Sequence, residues 1–216
     1  GMFVVDPSTT PMSIVAEYDM DHVNGNGCGG TIIGDQVFIT SGGGTLTNLY
    51  SYDVYAFPID GFSAANPPNF PAPDIVDSDS ADFRDAHGVT PAKGNDPKYL
   101  WVADRGLGSI STYKASNYDL KHVIELAGVG PEDPDKLTPD LLQINPKGTR
   151  VFSSLRGPNP LSGDAHVSFG SQPGLAVYKV KSNGADGELE AVIPISNVDA
   201  MGVERADGHG IQVRLK

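Results

Sequence analysis

The sequence predicts an all-β protein whose strands form the four-stranded antiparallel blades of a β-propeller, as a partial ring or half-propeller. The main observation is a strand phrase that recurs along the chain. It reads QVFITSGG from Gln36, YLWVADRG from Tyr99 and RVFSSLRG from Arg150, and IQVRLK from Ile211 resembles its beginning. Repeats at roughly this spacing that contain only strands are typical of propeller blades.

Each phrase stands among further short β-rich runs, which Gly, Pro and Asn turn residues separate. The second unit has runs at 85–90, 99–106, 109–113 and 120–126, and the third at 141–144, 150–157, 175–178 and 189–194. The first unit has runs at 30–33, 36–43 and 52–57. Four such runs in succession give the strand order of one antiparallel blade. Three long segments, 60–82, 128–136 and 157–173, are predicted to be connections outside the blades.

The chain therefore divides into blade units over approximately 24–82, 83–136 and 137–198, with half-blades over 2–23 and 199–216. DAHGV at 85–89 and DAMGV at 199–203 share four of five residues, so 199–203 is predicted to open the last half-blade. Because unpaired strand edges favour association, we expect the terminal strands at 2–6, 13–18 and 211–216 to pair. This pairing would close a four-bladed ring in one chain, or a larger ring in a self-associated homodimer. The third alternative is a fragment of a longer propeller. We favour the fragment or the homodimer.

Composition and charge narrow the class of protein. The 216 residues include 26 Gly and 17 Pro, which suits a turn-rich β protein. No apolar stretch approaches the ~18 residues of a membrane span. The net charge of −12 argues against nucleic acids and anionic membranes as partners. Gly1-Met2 has the form of a tag scar before an initiator Met without a signal peptide, although a leader further upstream would not be visible. We expect a soluble protein of the cytoplasm or periplasm.

The repeat frame also resembles that of a known superfamily. INPKGTRVF at 144–152 is an Asn-Pro-x-Gly hairpin followed by a β-branched strand, and His87-Gly88 precedes LWVA at 100–103. These motifs resemble those of the YVTN and lactonase-like β-propeller superfamily, over most of residues 12–216. The resemblance implies the propeller fold. The motifs form turns and strands and occur in proteins of many functions, so the resemblance assigns no catalytic residue.

Candidate site residues come from the ends of the strands that would face a central channel. His87 opens an innermost strand, and a metal site there would draw on His87, Asp85, Asp199 and Asp140. We favour instead a packing role in which the His87 imidazole donates to a backbone carbonyl. No second His or Cys has metal-ligand spacing, so no metal site and no cofactor are predicted, with a divalent cation as the open alternative. Cys28, the single cysteine, is predicted to be a buried structural thiol.

Two arginines recur at one position of the repeat. Arg105 and Arg156 directly precede Gly106 and Gly157. They would form either a ring of positive charge at a channel mouth or repeated ion pairs to a neighbouring blade, through Asp104 or another carboxylate. We favour the ion pairs. The candidate ligand-binding residues are Asp85, His87, Arg105 and Arg156, and the candidate catalytic pair is His87 with Arg105.

Two functional hypotheses of different classes follow. The first is a non-enzymatic propeller scaffold that binds a small molecule, an ion or a protein partner, because no catalytic motif is evident. The second is the hydrolase that part of the resembled superfamily implies, a lactonase acting on a sugar lactone. It would require a general base and an electrophile for the carbonyl group in the channel. The sequence leaves enzyme activity open and favours the scaffold.

Overall fold

A computed structural model describes residues 1–42, 51–64, 69–81, 83–92, 96–126, 133–159 and 170–214. Within these ranges, fourteen strands account for nearly all of the regular structure, with one short 3₁₀ turn at Ser182–Gly184. The strands are β1 (Met2–Asp6), β2 (Ser13–Tyr18), β3 (Asn26–Ile33), β4 (Gln36–Gly42), β5 (Tyr52–Pro58), β6 (Asp74–Asp79), β7 (Ala86–Ala92), β8 (Tyr99–Asp104), β9 (Ser109–Lys114), β10 (Leu120–Glu125), β11 (Pro139–Ile144), β12 (Arg150–Leu155), β13 (Gly174–Lys181) and β14 (Asp186–Pro194). The all-β prediction is confirmed.

The strands form three antiparallel four-stranded sheets and one two-stranded sheet. β3 to β6 form blade 1, β7 to β10 form blade 2, and β11 to β14 form blade 3, each with its strands side by side in chain order. β1 and β2 form the N-terminal hairpin. Because consecutive strands pair along the chain, each blade is a simple meander, as the predicted blades require. The domain boundaries proposed from the sequence stay a prediction.

The blades are held together by apolar cores between neighbouring sheets. Phe38 of blade 1 is fully buried, and its ring meets Tyr118 of blade 2 edge-on. Trp101 of blade 2 is also fully buried, and its Nε1 donates to Gly184 O of blade 3 at 2.8 Å. The equivalent residue of blade 3, Phe152, is only half-buried, because the described residues place no further sheet on that side. Large aromatic surfaces between sheets stabilise the stack of blades.

The fourth strand of blade 1 lies within the predicted connection 60–82, which is the first difference from the sequence prediction. β6 is rich in Asp, and its carboxylates are bound by tyrosines of blade 2. Tyr113 Oη donates to Asp77 at 2.6 Å and Tyr118 Oη donates to Asp74 at 2.8 Å. These bonds stabilise a strand that composition alone assigns to a loop. Much of the predicted connections 128–136 and 157–173 lies outside the described residues.

The C-terminal segment differs more strongly from the half-blade predicted for it. Residues 199–203 form a turn rather than a strand, because Asp199 Oδ1 accepts hydrogen bonds from Met201 N and Val203 N. Residues 205–214 carry no strand assignment, so the strand predicted from Ile211 is absent as far as residue 214. Residues 215 and 216 lie outside the described residues.

Each innermost strand carries a β-bulge at the same place. The register of β3 against β4 shifts between Gly27 and Gly29, that of β7 against β8 between Ala86 and Val89, and that of β11 against β12 between Pro139 and Leu142. Bulges redirect side chains and are frequent beside functional sites. In blades 2 and 3 the bulged residues include His87 and Asp140.

Candidate functional site

The two bulges and the C-terminal segment bring three side chains together. His87 comes from the bulge of β7 and Asp140 from the bulge of β11. DGHGI at 207–211 repeats the DAHGV pattern of 85–89 and supplies His209. Gly208 and Ala86 hold the same position in the two patterns. Gly208 lies against Leu155 O of β12, and Ala86 lies against Gly42 of β4. The segment from Asp207 therefore follows the path of an innermost strand beside blade 3.

The carboxylate of Asp140 is the centre of the cluster. His209 Nδ1 lies 2.8 Å from Oδ2 of Asp140. Arg156 Nη1 donates to the same oxygen at 2.9 Å, and Arg105 Nη1 lies 4.0 Å from it. On the other side, His87 Nδ1 lies 2.6 Å from Oδ1, a close electrostatic contact that is not aligned as a hydrogen bond. His87 therefore faces a carboxylate and not the backbone carbonyl that its predicted packing role required.

The two arginines occupy equivalent positions, but Arg105 binds an acid of its own blade and Arg156 binds an acid of the segment that follows blade 3. Arg105 Nε donates to Asp85 Oδ2 at 2.6 Å. Arg156 Nε and Nη2 donate to the two oxygens of Asp207 at 2.7 and 2.9 Å. Asp85 and Asp207 hold the same position in the DAHGV and DGHGI patterns. Both arginines are thus in ion pairs. Arg156 pairs with the segment after blade 3, whereas Arg105 pairs most closely within its own blade and lies 4.0 Å from Asp140 of the neighbouring blade.

Asp104 instead belongs to an adjoining group. Arg84 Nε donates to Asp104 Oδ2 at 2.5 Å, and Arg84 Nη1 donates to Asp79 at 2.8 Å. The guanidinium carbon of Arg84 lies 4.0 Å from the centre of the Tyr52 ring, a cation–π contact between blades 2 and 1. This group joins blades and takes no part in the Asp140 cluster.

Burial strengthens the electrostatic interactions between the charged groups of the cluster. Asp140 is inaccessible to solvent, and Arg105 and Arg156 are exposed by only 2% and 1%. Burial acts to raise the pKa of Asp140, but the contact with His87, the charges of His87 and Arg105 and the hydrogen bond with His209 outweigh it and lower that pKa to about 2. Asp140 is therefore a carboxylate at neutral pH. His209 differs from the others, since 61% of its side chain is exposed.

This arrangement can supply a base and an electrophile side by side. If His209 Nδ1 donates its proton to Asp140, its Nε2 carries the lone pair and can accept a proton. The carboxylate then fixes the tautomer and stabilises the imidazolium, as in acid–histidine pairs of hydrolases. Arg156 lies beside the same ring, with Nη1 3.5 Å from His209 Nδ1.

The open inner surface continues along the innermost strands. A cavity of about 480 Å³ lies between β3, β7 and β11, and is lined among others by Cys28, Val89, Leu142 and Ile211. Cys28, predicted to be a buried structural thiol, is only half-buried, and its Sγ lies 3.0 Å from Asn26 O. The cavity lining includes residues that follow the cluster in the sequence, such as Leu141 after Asp140, but not His87, Asp140 or His209 themselves.

The candidate metal site is not assembled from the residues proposed for it. Asp199 lies in the 199–203 turn and binds Arg205 Nε at 2.9 Å, apart from His87 and Asp85. Within the described ranges, no group of three or more His, Cys, Asp or Glu side chains has an arrangement suited to a metal ion. The described part of the chain likewise contains no helix of the length and hydrophobicity that a membrane crossing requires.

Comparisons with known proteins find similarity in structure only. No protein-family model matches the chain, and no curated protein matches it. A periplasmic gluconolactonase of Pseudomonas aeruginosa is similar with a TM-score of 0.52 and 13% identity, over 88% of this chain and 51% of that one. A 6-phosphogluconolactonase candidate of Bacteroides uniformis is similar with a TM-score of 0.51 and 13% identity, over 82% of this chain and 45% of that one.

The chain thus spans about half the length of these two structures. Identity at this level shows the fold alone. Together with the meander sheets and the repeated inner-strand bulges, the likeness shows that the chain has a β-propeller fold similar to that of these two structures.

Proposed function

We propose that the Asp140 cluster is the active site of a lactonase-type hydrolase acting on a sugar lactone. The observation that carries the proposal is the pairing of a solvent-exposed His209 with a buried Asp140 carboxylate, 2.8 Å apart, with Arg156 bound to the same oxygen. Ester hydrolysis needs a base for water and positive charge for the carbonyl oxygen. A scaffold that only binds a ligand has no need of a base held in one tautomer.

The proposed reaction uses the groups as follows. His209 Nε2 takes a proton from a water molecule, whose oxygen forms a bond to the lactone carbonyl carbon. We assign the stabilisation of the developing oxyanion to the positive charges of Arg156 and Arg105, which lie 2.9 and 4.0 Å from Asp140 Oδ2. The ring C–O bond then breaks, the ring oxygen takes the proton back from His209, and the product is the open-chain hydroxy acid.

The names of the similar structures support this substrate class. One is a gluconolactonase and the other a 6-phosphogluconolactonase candidate. The cavity of about 480 Å³ along the same innermost strands is large enough for a single sugar ring, since small-ligand pockets begin at roughly 300 Å³. The structural similarity supplies the substrate hypothesis, and the cluster supplies the residues.

The test is hydrolysis of D-glucono-1,5-lactone by the purified 216-residue chain, followed as acid release against the spontaneous reaction. We expect a rate above the spontaneous one that saturates with lactone and scales with protein concentration. Binding of the lactone without turnover, measured by calorimetry, would instead favour the scaffold hypothesis. If the chain neither binds lactones nor hydrolyses them, the proposal is contradicted.

A further inference from the structure

The cavity of about 480 Å³ between β3, β7 and β11 has an uncharged wall. None of the described residues that line it is an Asp, Glu, Lys, Arg or His. Its side chains are aliphatic, as in Val89, Leu141 and Ile144, or neutral and polar, as in Thr31 and Gln143. A charged group that entered the cavity would lose water without gaining a counter-ion, which is costly. The wall therefore favours an uncharged ligand over a phosphate or a carboxylate.

The main chain supplies further polar groups to this wall. β3, β7 and β11 are each the edge strand of a separate sheet. One edge of each pairs with the second strand of its blade, so the free edge lies on the side of the cavity. Free strand edges offer N–H and C=O groups. Donors and acceptors in alternation suit the hydroxyl groups of a sugar, which donate and accept, and the aliphatic side chains suit the C–H faces of its ring.

The cavity adjoins the Asp140 cluster at two glycines. A methyl group on Gly29, which lines the cavity, would lie 2.9 Å from His87 O. A methyl group on Gly210, which directly follows His209, would lie 3.9 Å from Cδ1 of the lining residue Leu141. A ligand in the cavity therefore has one end toward the cluster and the rest along the uncharged wall.

The arginines at the cluster end are bound to acids of the chain. Arg105 Nε donates to Asp85 Oδ2 at 2.6 Å. Arg156 donates to both oxygens of Asp207 at 2.7 and 2.9 Å and to Asp140 at 2.9 Å. A phosphate would have to compete with these carboxylates for the guanidinium groups. The net charge of −12 also repels a dianion.

We propose that this cavity binds an uncharged ring that carries hydroxyl groups. It follows, if the proposed function holds, that the chain hydrolyses neutral sugar lactones in preference to their phosphate esters. Gln143, the one amide side chain among the described lining residues, is the proposed specificity residue. An amide binds hydroxyl groups without adding a charge. Binding of the ring itself does not depend on turnover.

The binding part of the experiment uses D-glucose and D-glucose 6-phosphate, two stable rings that differ by one phosphate. Calorimetry on the purified 216-residue chain, at pH 7 and equal ionic strength, measures both dissociation constants. We expect D-glucose to bind more tightly by about 10-fold or more, because the wall offers the phosphate no counter-ion. In the turnover part, kcat/KM for D-glucono-1,5-lactone should exceed that for its 6-phosphate by at least the same factor.

Gln143→Lys tests whether the cavity sets this preference. An ammonium group on the wall should reduce the ratio of the two dissociation constants by about 10-fold, mainly through tighter binding of the phosphorylated ring. Gln172→Lys is the matched control, because Gln172 is exposed and is not among the lining residues. It adds the same charge and should leave the ratio unchanged. If Gln143→Lys does not fold, Thr31→Lys on the same wall replaces it.

The outcomes separate this inference from the proposed function. Tighter binding of D-glucose without turnover of either lactone supports the cavity site and contradicts the lactonase. Equal turnover of the two lactones, or a preference for the 6-phosphate, supports the lactonase and overturns the inference. A ratio that Gln143→Lys leaves unchanged also overturns it, because the ring then binds elsewhere. So does the absence of binding by either sugar.

Discussion

The imidazole rings of His87 and His209 lie on two sides of one carboxylate, with their centroids 5.7 Å apart. They differ in access to solvent, since 7% of the His87 side chain is exposed and 61% of that of His209. A base that activates water must reach water. His209 therefore suits the proton transfer, and His87 suits the positioning of the Asp140 carboxylate.

The first prediction concerns His209. His209→Asn removes the proposed base and should lower lactone turnover by about 10²–10⁴-fold. Stability should fall by only about 1 kcal/mol, because the side chain is largely exposed and makes one hydrogen bond to Asp140. The rate is measured by acid release from glucono-1,5-lactone, and the folded state by urea unfolding.

His122→Asn is the matched control. His122 is also exposed, at 42% of its side chain, and its Nε2 lies 3.2 Å from Asp186, but it is on the outer strand of blade 2. It should keep the full rate. Equal rates in both variants would exclude His209 as the base.

The second prediction concerns acid stability. The pKa of Asp140 is about 2 in the folded chain and 3.8 in the unfolded reference. The carboxylate therefore binds a proton more weakly in the folded state than in the unfolded state. Its contribution to the free energy of unfolding, about 2 kcal/mol, is fully present above about pH 5 and is lost as the pH falls toward 2. Urea unfolding of the wild type between pH 2 and 7 measures it.

Asp140→Asn should remove this part of the pH dependence. It should also cost about 3–5 kcal/mol at pH 7, because Arg156 and Arg105 lose a buried counter-charge. Asp96→Asn, whose carboxylate is 88% exposed, is the control and should change neither quantity. An unchanged pH profile in Asp140→Asn would show that this carboxylate does not govern acid stability.

The sequence was enough to predict the blades, because repeated strands and turns are encoded in local patterns of residues. Asp85, His87, Arg105 and Arg156 were named as candidates from their repeat positions, and the structure brings all four side chains near Asp140. Asp140 was named only as a possible metal ligand. Its position at the centre of the cluster depends on the β-bulge in β11, which no local sequence pattern predicts.

His209 and Asp207 were missed because two segments compete for the same repeat position. DAMGV at 199–203 matches DAHGV in more residues, but Asp199 binds its own backbone and closes a turn. DGHGI at 207–211 keeps the Asp and the His, and it packs on β12. Weighting those two polar positions above the apolar ones would have found it.

The third prediction concerns the contact between blades 2 and 3. Trp101→Ala should lower the free energy of unfolding by about 3–5 kcal/mol, because Trp101 is fully buried against blade 3 and donates to Gly184 O. Phe152→Ala, at the equivalent half-buried position of blade 3, should cost less than about 2 kcal/mol. Urea unfolding measures both. A smaller loss for Trp101 than for Phe152 would contradict the proposed packing.

The last prediction concerns association. Ile193 on the outer strand of blade 3 and Ile124 on the outer strand of blade 2 hold equivalent positions, since they pair with Leu175 and Ile110. Ile193 is nevertheless 51% exposed, whereas Ile124 is only 4% exposed. At the other end of the stack, Phe3 and Ile14 of the N-terminal hairpin are 58% and 57% exposed.

Apolar faces of this kind favour a partner, and we expect the chain to self-associate through its two end faces. Sedimentation velocity should show dimers or larger species whose fraction rises with concentration. Ile193→Asp should shift the equilibrium toward the monomer by placing a charge in the contact. Leu120→Asp, an equally exposed residue on the middle blade, should leave it unchanged. A chain that stays monomeric up to high concentration would rule out self-association by these faces.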